Sequence, residues 1–538
     1  MGLAMRRCTC PVLVALCMLG ALGPALLAQH DQHDPGPLPK YVSEPIALFK
    51  VGLGPFTRRI STANPEAQAF FDQGFQMEYA FAKLDAVRSF REAWKRDPQC
   101  AICYWGEAWA WGSYLNGPMS AEQSPFAYAA MQNAIALKDK ASPVERDFID
   151  ALSVRYVANF DVKTRVEQDK AYAEAMRKVY EKYPNDLDAG TLYGDALFLL
   201  EPRRGTRDID AENIKRLHHV LESVLAKDKH HPGACHLYVH ATESTVRPEL
   251  AEACAQYLGA TIPGASHINH MPSHTFNEVG RWGDSVRANL EAWHSDLKAD
   301  AGEGFAIYPD HNLHMLLYAA SMDGQGAIAM QAGKDYTKRT SDPMYEVLTL
   351  IRFGRFDEVL EVTKRPEREI PAAAWDFAQG YAHLRKGEAD FAKVYLGRVQ
   401  KTADTSKLEF RNHPAKRLLG ILAGILDGEI LRSAGDLTGA IAAFERAVTL
   451  DDELEYDEPE PIPFPARHWL GAALLEAKRP ADAQNVYEAD LKQHPHNGWA
   501  LLGLQQALKA QGKASPEIDA DLKASWSRSD TWTRTSRF

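Results

Sequence analysis

One set of polar side chains returns at a fixed interval in this chain. His236, His240 and Glu243 are followed 34 residues later by His270, His274 and Asn277. A period of roughly 20–50 residues marks a repeat array, whose units stack because none can bury its apolar face alone. A third copy, His314, Tyr318 and Ser321, lies 44 residues beyond the second, so ten residues are inserted between them. Within each copy the spacings of four and three place the residues on one side of an α-helix.

The rest of the chain keeps the same phase. From Asn64 onward, Gly74, Ala86, Phe90, Ala93 and Pro98 fall at positions 8, 20, 24, 27 and 32 of a 34-residue unit. There the two helices of a tetratricopeptide repeat approach closely and a proline ends the pair. After a looser stretch over 121–185, Ala189, Tyr193 and Gly194 restore the pattern. It returns at Gly354, Phe356 and Val359, at Gly380, Gly387 and Ala392, at Gly435, Ala440, Phe444 and Ala447, and at Gly471, Ala483, Tyr487 and Pro495. The predicted fold is all-α, a right-handed superhelical solenoid of tetratricopeptide repeats. Residues 61–340 would form the N-terminal and central array, and 341–538 a C-terminal array closed by the helix from Trp499 onward. The acidic turn from Asp451 to Glu460, with Pro461, Pro463 and Pro465 after it, has the look of a linker whose charge serves solubility. The polar tail after Trp526 is expected to fray.

The two ends of the chain carry other signals. Arg6 and Arg7 precede an apolar run from Pro11 to about Leu27 that ends at Ala28, the order of a secretory leader occupying residues 1–28. The run is short for a membrane span, and Cys17 follows Leu16 where a lipid anchor needs a small residue. A soluble periplasmic or secreted protein is expected, with no stable membrane insertion. Residues 29–60 are polar and proline-rich and should form an extended arm. His30 and His33 in that arm could bind copper or nickel beside a free amine, although a solvated tail suits so short a tract. Cys100, Cys103, Cys235 and Cys254 remain after the leader. An oxidising compartment permits them to pair, and for Cys100 and Cys103 a structural disulfide or two packing thiols fits the spacing better than redox chemistry. With 61 basic against 72 acidic residues and no basic run, nucleic acid is not an expected partner.

The recurring histidines carry the chemistry. Ala251, Ala255 and Pro263 set the phase that puts His236, His240 and Glu243 at positions 5, 9 and 12. Gly280 and Trp282 place His267, His270, His274 and Asn277 at positions 2, 5, 9 and 12, and Gly324 and Ala329 place His311, His314, Tyr318 and Ser321 likewise. In this fold those positions line the concave groove. Neighbouring helices lie about 8–10 Å apart, and an imidazole nitrogen must come within about 2.1 Å of a zinc-like ion. Two adjacent inner helices can therefore share a metal, whereas the outer two are too far apart. The expected ligands are His236, His240, His270 and His274, with Glu243 as ligand or supporting carboxylate. His267, Asn277, His311, His314, Tyr318 and Asn116 would line the pocket, with His311 and His314 serving substrate or a second ion. Glu243, or Glu107 among the tryptophans of Tyr104–Trp111, would be the acid/base. Imidazole suits zinc, copper and iron alike. No His-Glu-x-x-His sequence is present, so nothing marks a metalloprotease. The competing reading is a non-catalytic scaffold whose groove holds a peptide or protein partner. Pro272 is expected to kink its helix or begin it, and in the latter case His267 and His270 would fall on a loop.

The segments His236-Leu237-Tyr238-Val239-His240-Ala241-Thr242-Glu243, His270-Met271-Pro272-Ser273-His274 with Gly280-Arg281-Trp282, and Tyr308-Pro309-Asp310-His311-Asn312-Leu313-His314 resemble an exported bacterial tetratricopeptide-repeat family. Tyr104-Trp105-Gly106-Glu107-Ala108, with Asn116 and Met119, is similar to the N-terminal motif of the same family. The resemblance runs from about Gly54 to Gly324, and Val239 stands where an isoleucine is usual. It implies the fold and export, with no activity attached.

Overall fold

The computed structural model describes residues 36–202 and 204–538. The expected leader, its cleavage site, His30 and His33 lie outside the described residues. From Pro65 the chain is a succession of packed helix pairs. Pro65–Tyr79 pairs with Lys83–Arg96, Ala101–Trp111 with Ser124–Ala136, and Leu187–Phe198 with Glu212–Leu225. The first pair shows how the sequence makes the unit. Asn64 caps the helix by accepting the N–H groups of Glu66 (2.9 Å) and Ala67 (3.3 Å), and Pro65 fills the first turn. A Cβ on Gly74 would stand 2.9 Å from the Phe90 ring, so only glycine lets the two helices close. The tryptophans of Ala101–Trp111 are core, as their helical spacing predicts. The fold is the all-α solenoid of tetratricopeptide repeats that the period implies.

The arm before Asn64 is extended apart from the short helix Lys40–Ser43, and it packs along the first repeat. Gln73 and Gln76 accept backbone N–H groups of Phe49 and Gly54, and the arm's own Val42, Ile46 and Ile60 are buried. The arm thus buries more than its composition suggests. Between the second and third histidine helices, the ten inserted residues lengthen Trp282–Asp300 to 19 residues and add the loop 301–308. Both cysteine pairs are disulfides. Cys235–Cys254 ties the first histidine helix to Glu252–Thr261.

The apolar interior forms two large clusters, one extending to Ile307 and one beginning at Val286. They meet at the third histidine helix, and the end of the chain returns to that seam. The Trp282 indole donates to Pro495 O (2.8 Å) and the Trp499 indole to Ser321 O (2.8 Å). Two expectations are corrected here. The tail after Trp526 does not fray: Arg528 makes paired contacts with Asp323 (2.9 and 2.7 Å), and Asp530 accepts the N–H groups of Gly326 and Ala327 at the start of Gly326–Thr340. The orphan donors of a helix N-terminus give a polar tail a place to dock. The segment Asp451–Glu460 is no solvated linker either, because it folds into the groove, drawn there by arginines and histidines.

Candidate functional site

Three inner helices carry the histidines, and each is fixed at its ends. The first, Pro232–Thr242, is capped by His231, whose Nδ1 accepts Ala234 N–H (3.2 Å) while Nε2 faces Asp188 (3.2 Å). Asp188 is held in turn by Arg58 (2.6 Å) and by the Tyr79 hydroxyl (2.6 Å). At the other end, buried Arg207 donates to His240 O (2.9 Å) and the Ser244 hydroxyl (2.9 Å), a cation where the helix dipole favours one. The second runs as Ser266–His270 and Pro272–Glu278. Pro272 removes one donor, yet Met271 keeps helical angles (φ −51°, ψ −36°), so His267 and His270 stay on the helix and the stripe is not broken. The third is Pro309–Met322, entered through Tyr308 in a left-handed conformation (φ 56°).

These helices bring six imidazoles together. His236 Nε2 lies 3.2 Å from His267 Nε2, and His270 Nε2 lies 3.2 Å from His274 Nε2. Ring centroids are 5.0 Å apart for His236 and His240, 4.7 Å for His270 and His311, and 5.4 Å for His240 and His274. Glu243, 1% exposed, sits between the second and fifth of these rings. Its Oε1 is 2.9 Å from His240 Nδ1 and its Oε2 is 2.6 Å from His274 Nδ1. Three groups have donor atoms mutually within 4.8 Å: His236, His240 and His267; His270, His274 and His311; and His240, Glu243, His274 and Glu458. The four histidines expected to share one ion are therefore divided between two groups, with His267 and His311 completing them. None of the three groups joins the first helix to the third.

Burial sets the protonation. Desolvation, and then the neighbouring imidazoles, hold His236, His267 and His270 well below the usual histidine range, and His240 is lowered by burial as well. Neutral imidazole is the form that ligates a metal. Burial and the Glu458 carboxylate push Glu243 up, but its contacts with His240 and His274 outweigh them and leave it below its ordinary value. An ionised Glu243 accepting from His240 Nδ1–H leaves that ring's Nε2 as an acceptor, and His240 Nε2 is buried without a hydrogen-bond partner.

Phe81, Tyr114, Tyr308, Arg411, Asp457 and Glu458 belong to the site without having been singled out from the sequence. Phe81 lies at positive φ (60°), costly for a bulky residue, and sets its ring at a tilt 4.2 Å from that of His236. The Tyr114 and Tyr308 hydroxyls meet at 2.7 Å. Arg411 sits in the turn of the short hairpin Glu409–Phe410 and His413–Pro414 and grips Asp457 with two nitrogens (2.7 and 2.8 Å), while Arg204 adds a third contact (2.7 Å). This clamp delivers Glu458, whose Oε2 lies 4.0 Å from His274 Nδ1. A non-glycine φ and a charge in a turn are the only local signals such residues leave.

Two adjoining cavities result. One, of roughly 310 Å³, is lined by His240, His267, His274 and His311 with Tyr114, Asn116, Tyr308, Arg204, Arg411 and Glu458. The other, of roughly 480 Å³, is acidic, with Glu278, Asp451, Asp457, Glu458 and Glu460 around Asn277, Tyr318 and His494. His274 and Glu458 belong to both walls. In the acidic cavity, burial and then Glu460 raise Glu278 to about 8 and Asp451 to about 7. Asn277 accepts from the Ser285 hydroxyl (2.7 Å). His314 lines neither cavity: it stacks on Tyr345 at 4.0 Å and meets Arg411 at 3.2 Å. Glu107 is placed elsewhere, its carboxylate tied to Arg91 (2.5 Å) and the Trp94 indole (2.6 Å). An acid/base role for it finds no support in this geometry.

No family model matches the chain, and no curated protein matches it. Solved structures with similar helical arrays include the tetratricopeptide-repeat domain of P58(IPK), at 12% identity, 83% of this chain, 98% of that one and a TM-score of 0.21. Yeast Tom70 is similar at 11% identity, 85% and 99% coverage and a TM-score of 0.32. The human IFIT1 dimer with m7Gppp-AAAA is similar at 12% identity, 85% and 95% coverage and a TM-score of 0.31. These likenesses concern the repeat architecture, which the helix pairs of this chain display independently.

Proposed function

We propose that this protein is a metal-binding tetratricopeptide-repeat protein whose histidine cavity presents a divalent transition metal to a small polar molecule. Zinc, copper and iron all suit the donors. The observation that carries the reading is the buried imidazole cluster braced by Glu243, with His240 Nε2 lacking a hydrogen-bond partner. Burying so many polar nitrogens around one cavity is costly unless something satisfies them. A carboxylate on Nδ1 is also the usual way a protein orients a metal-ligating histidine through its other nitrogen. A cavity of roughly 310 Å³ beside these rings is the size of a small-molecule site. A bound metal would polarise a ligand there. The chain would supply Glu458 and the Tyr114–Tyr308 pair as polar groups facing it, making metal-dependent catalysis one use of the cavity. The leader-like residues 1–28 support a periplasmic or secreted setting.

The repeat architecture supports a second reading, a scaffold that holds a peptide or protein partner in its groove. Because Glu458 of the segment Asp451–Glu460 already faces the histidine cavity, such a partner would dock beyond that segment or displace it. Metal analysis of protein purified without a histidine tag separates the two readings. Stoichiometric metal, lost in His240→Ala and His274→Ala, is expected. Trace metal that those substitutions leave unchanged would remove the first reading and leave the second.

A further inference from the structure

The six imidazoles are not spread evenly around one centre. His236, His240 and His267 form one triad and His270, His274 and His311 another, with no member in common. Ligands of a tetrahedral ion with bonds of about 2.0–2.1 Å stand about 3.3–3.4 Å apart. The Nε2 pairs His236–His267 and His270–His274 are each 3.2 Å apart, near that spacing, and one pair belongs to each triad. Tautomers point the same way. His236 Nδ1 is engaged by Tyr79 O (2.6 Å), and His240 Nδ1 by Glu243 Oε1 (2.9 Å). In His236 and His240, therefore, Nε2 is the nitrogen left to ligate.

We infer that the cavity holds two metal ions side by side, one in each histidine triad, with Glu243 bridging the triads through ligand histidines rather than through the ions. This rests on the metal-binding reading above and deepens it. Each ion would have three imidazoles and an open position toward the cavity that His240, His267, His274 and His311 line together, so one small ligand could meet both. The all-imidazole donor set selects zinc, copper, nickel or iron over magnesium or calcium. The charge of two divalent ions is offset by Glu243 and Glu458. The competing arrangement is a single ion held by His240, Glu243, His274 and Glu458. It would use the Nδ1 side that Glu243 now occupies.

The test counts ions in the tag-free protein after chelator stripping and reloading with zinc. Two zinc ions per chain are expected. His236→Ala with His267→Ala should leave one, His270→Ala with His311→Ala should leave one, and Glu458→Gln should keep both. If an alanine pair loses its helical circular dichroism, His267→Gln and His311→Gln repeat the count with side chains of similar volume. Copper(II) loading adds a second readout, since two neighbouring ions should give a spin-coupled resonance that becomes an isolated-copper signal in either triad variant. Saturation at one zinc per chain, loss of both ions from either triad variant, or loss of an ion in Glu458→Gln would overturn the two-ion arrangement while leaving metal binding intact. No zinc in the unsubstituted protein would instead overturn metal binding itself.

Discussion

Glu243 shows how much one buried side chain can control. Its Oε1 accepts from His240 Nδ1 and selects that ring's tautomer, while its Oε2 lies 2.6 Å from His274 Nδ1 on the next histidine helix. Glu243→Gln keeps the shape but presents one N–H group to an Nδ1–H and forces a ring to change tautomer. Zinc affinity should fall about 10- to 100-fold, the usual cost of losing a carboxylate behind a ligating histidine. Competition titration would measure it, and unchanged affinity would dismiss the orienting role. Glu278 and Asp451 act in the opposite electrostatic sense. Their carboxyls are raised to about 8 and about 7 from ordinary values of 4.5 and 3.8. The folded chain therefore holds these protons more tightly than the unfolded chain, and the stability they lend is full below pH 4 and lost as pH rises through 7 to 8. The apparent Tm should decline between pH 5 and pH 8, and Glu278→Gln combined with Asp451→Asn should flatten that decline. An identical pH profile in the double variant would show that these carboxyls do not titrate in this range.

Helix pairs obey a simpler rule, close approach across small residues. Gly471 and Gly503 lie on Arg467–Glu476 and Gly498–Ala510, and the ring of Tyr487, from the intervening helix Pro480–Gln493, fits between them. A Cβ on Gly503 would stand 2.1 Å from that ring. Gly503→Ala should destabilise by about 1–3 kcal/mol through overpacking, read as a lower denaturation midpoint. Its effect should reach the third histidine helix through the Trp499–Ser321 bond but leave the first repeats unchanged, because a repeat unit passes strain to what it touches. An unchanged midpoint would mean that Tyr487 can turn aside. Gly471 was legible in the sequence because, like Gly74, it recurs in the repeat pattern, whereas Gly503, 32 residues further on, was not singled out. The long helix Trp282–Asp300 was legible only as an insertion, since the number of extra residues does not say whether they extend a helix or a loop.

Across the whole molecule, the C-terminal array closes on the histidine helices, and Asp457 is its latch. Its carboxylate, 1% exposed, is shared by Arg411 and Arg204. Asp457→Asn leaves both cations without a countercharge at a cost of about 1–3 kcal/mol, below the figure for a fully buried pair because Arg204 is 41% exposed. Hydrogen exchange of residues 451–465 should rise sharply while the helices of the first repeats stay protected, and equal protection in the variant would refute the latch. None of this closure could be read from a composition that marks Asp451–Glu460 as a linker. Helical periodicity and the 34-residue interval are local regularities, so the sequence by itself determined the repeat pairs, the inward stripe of His236, His240, His270 and His274, and the carboxylate beside them. How six rings divide into two triads, and which carboxylate arrives from more than 180 residues away to face His274, depends on the curvature of the stacked helices and on ion pairs between distant segments. Those are sums over the whole array, and only the tertiary structure decided them.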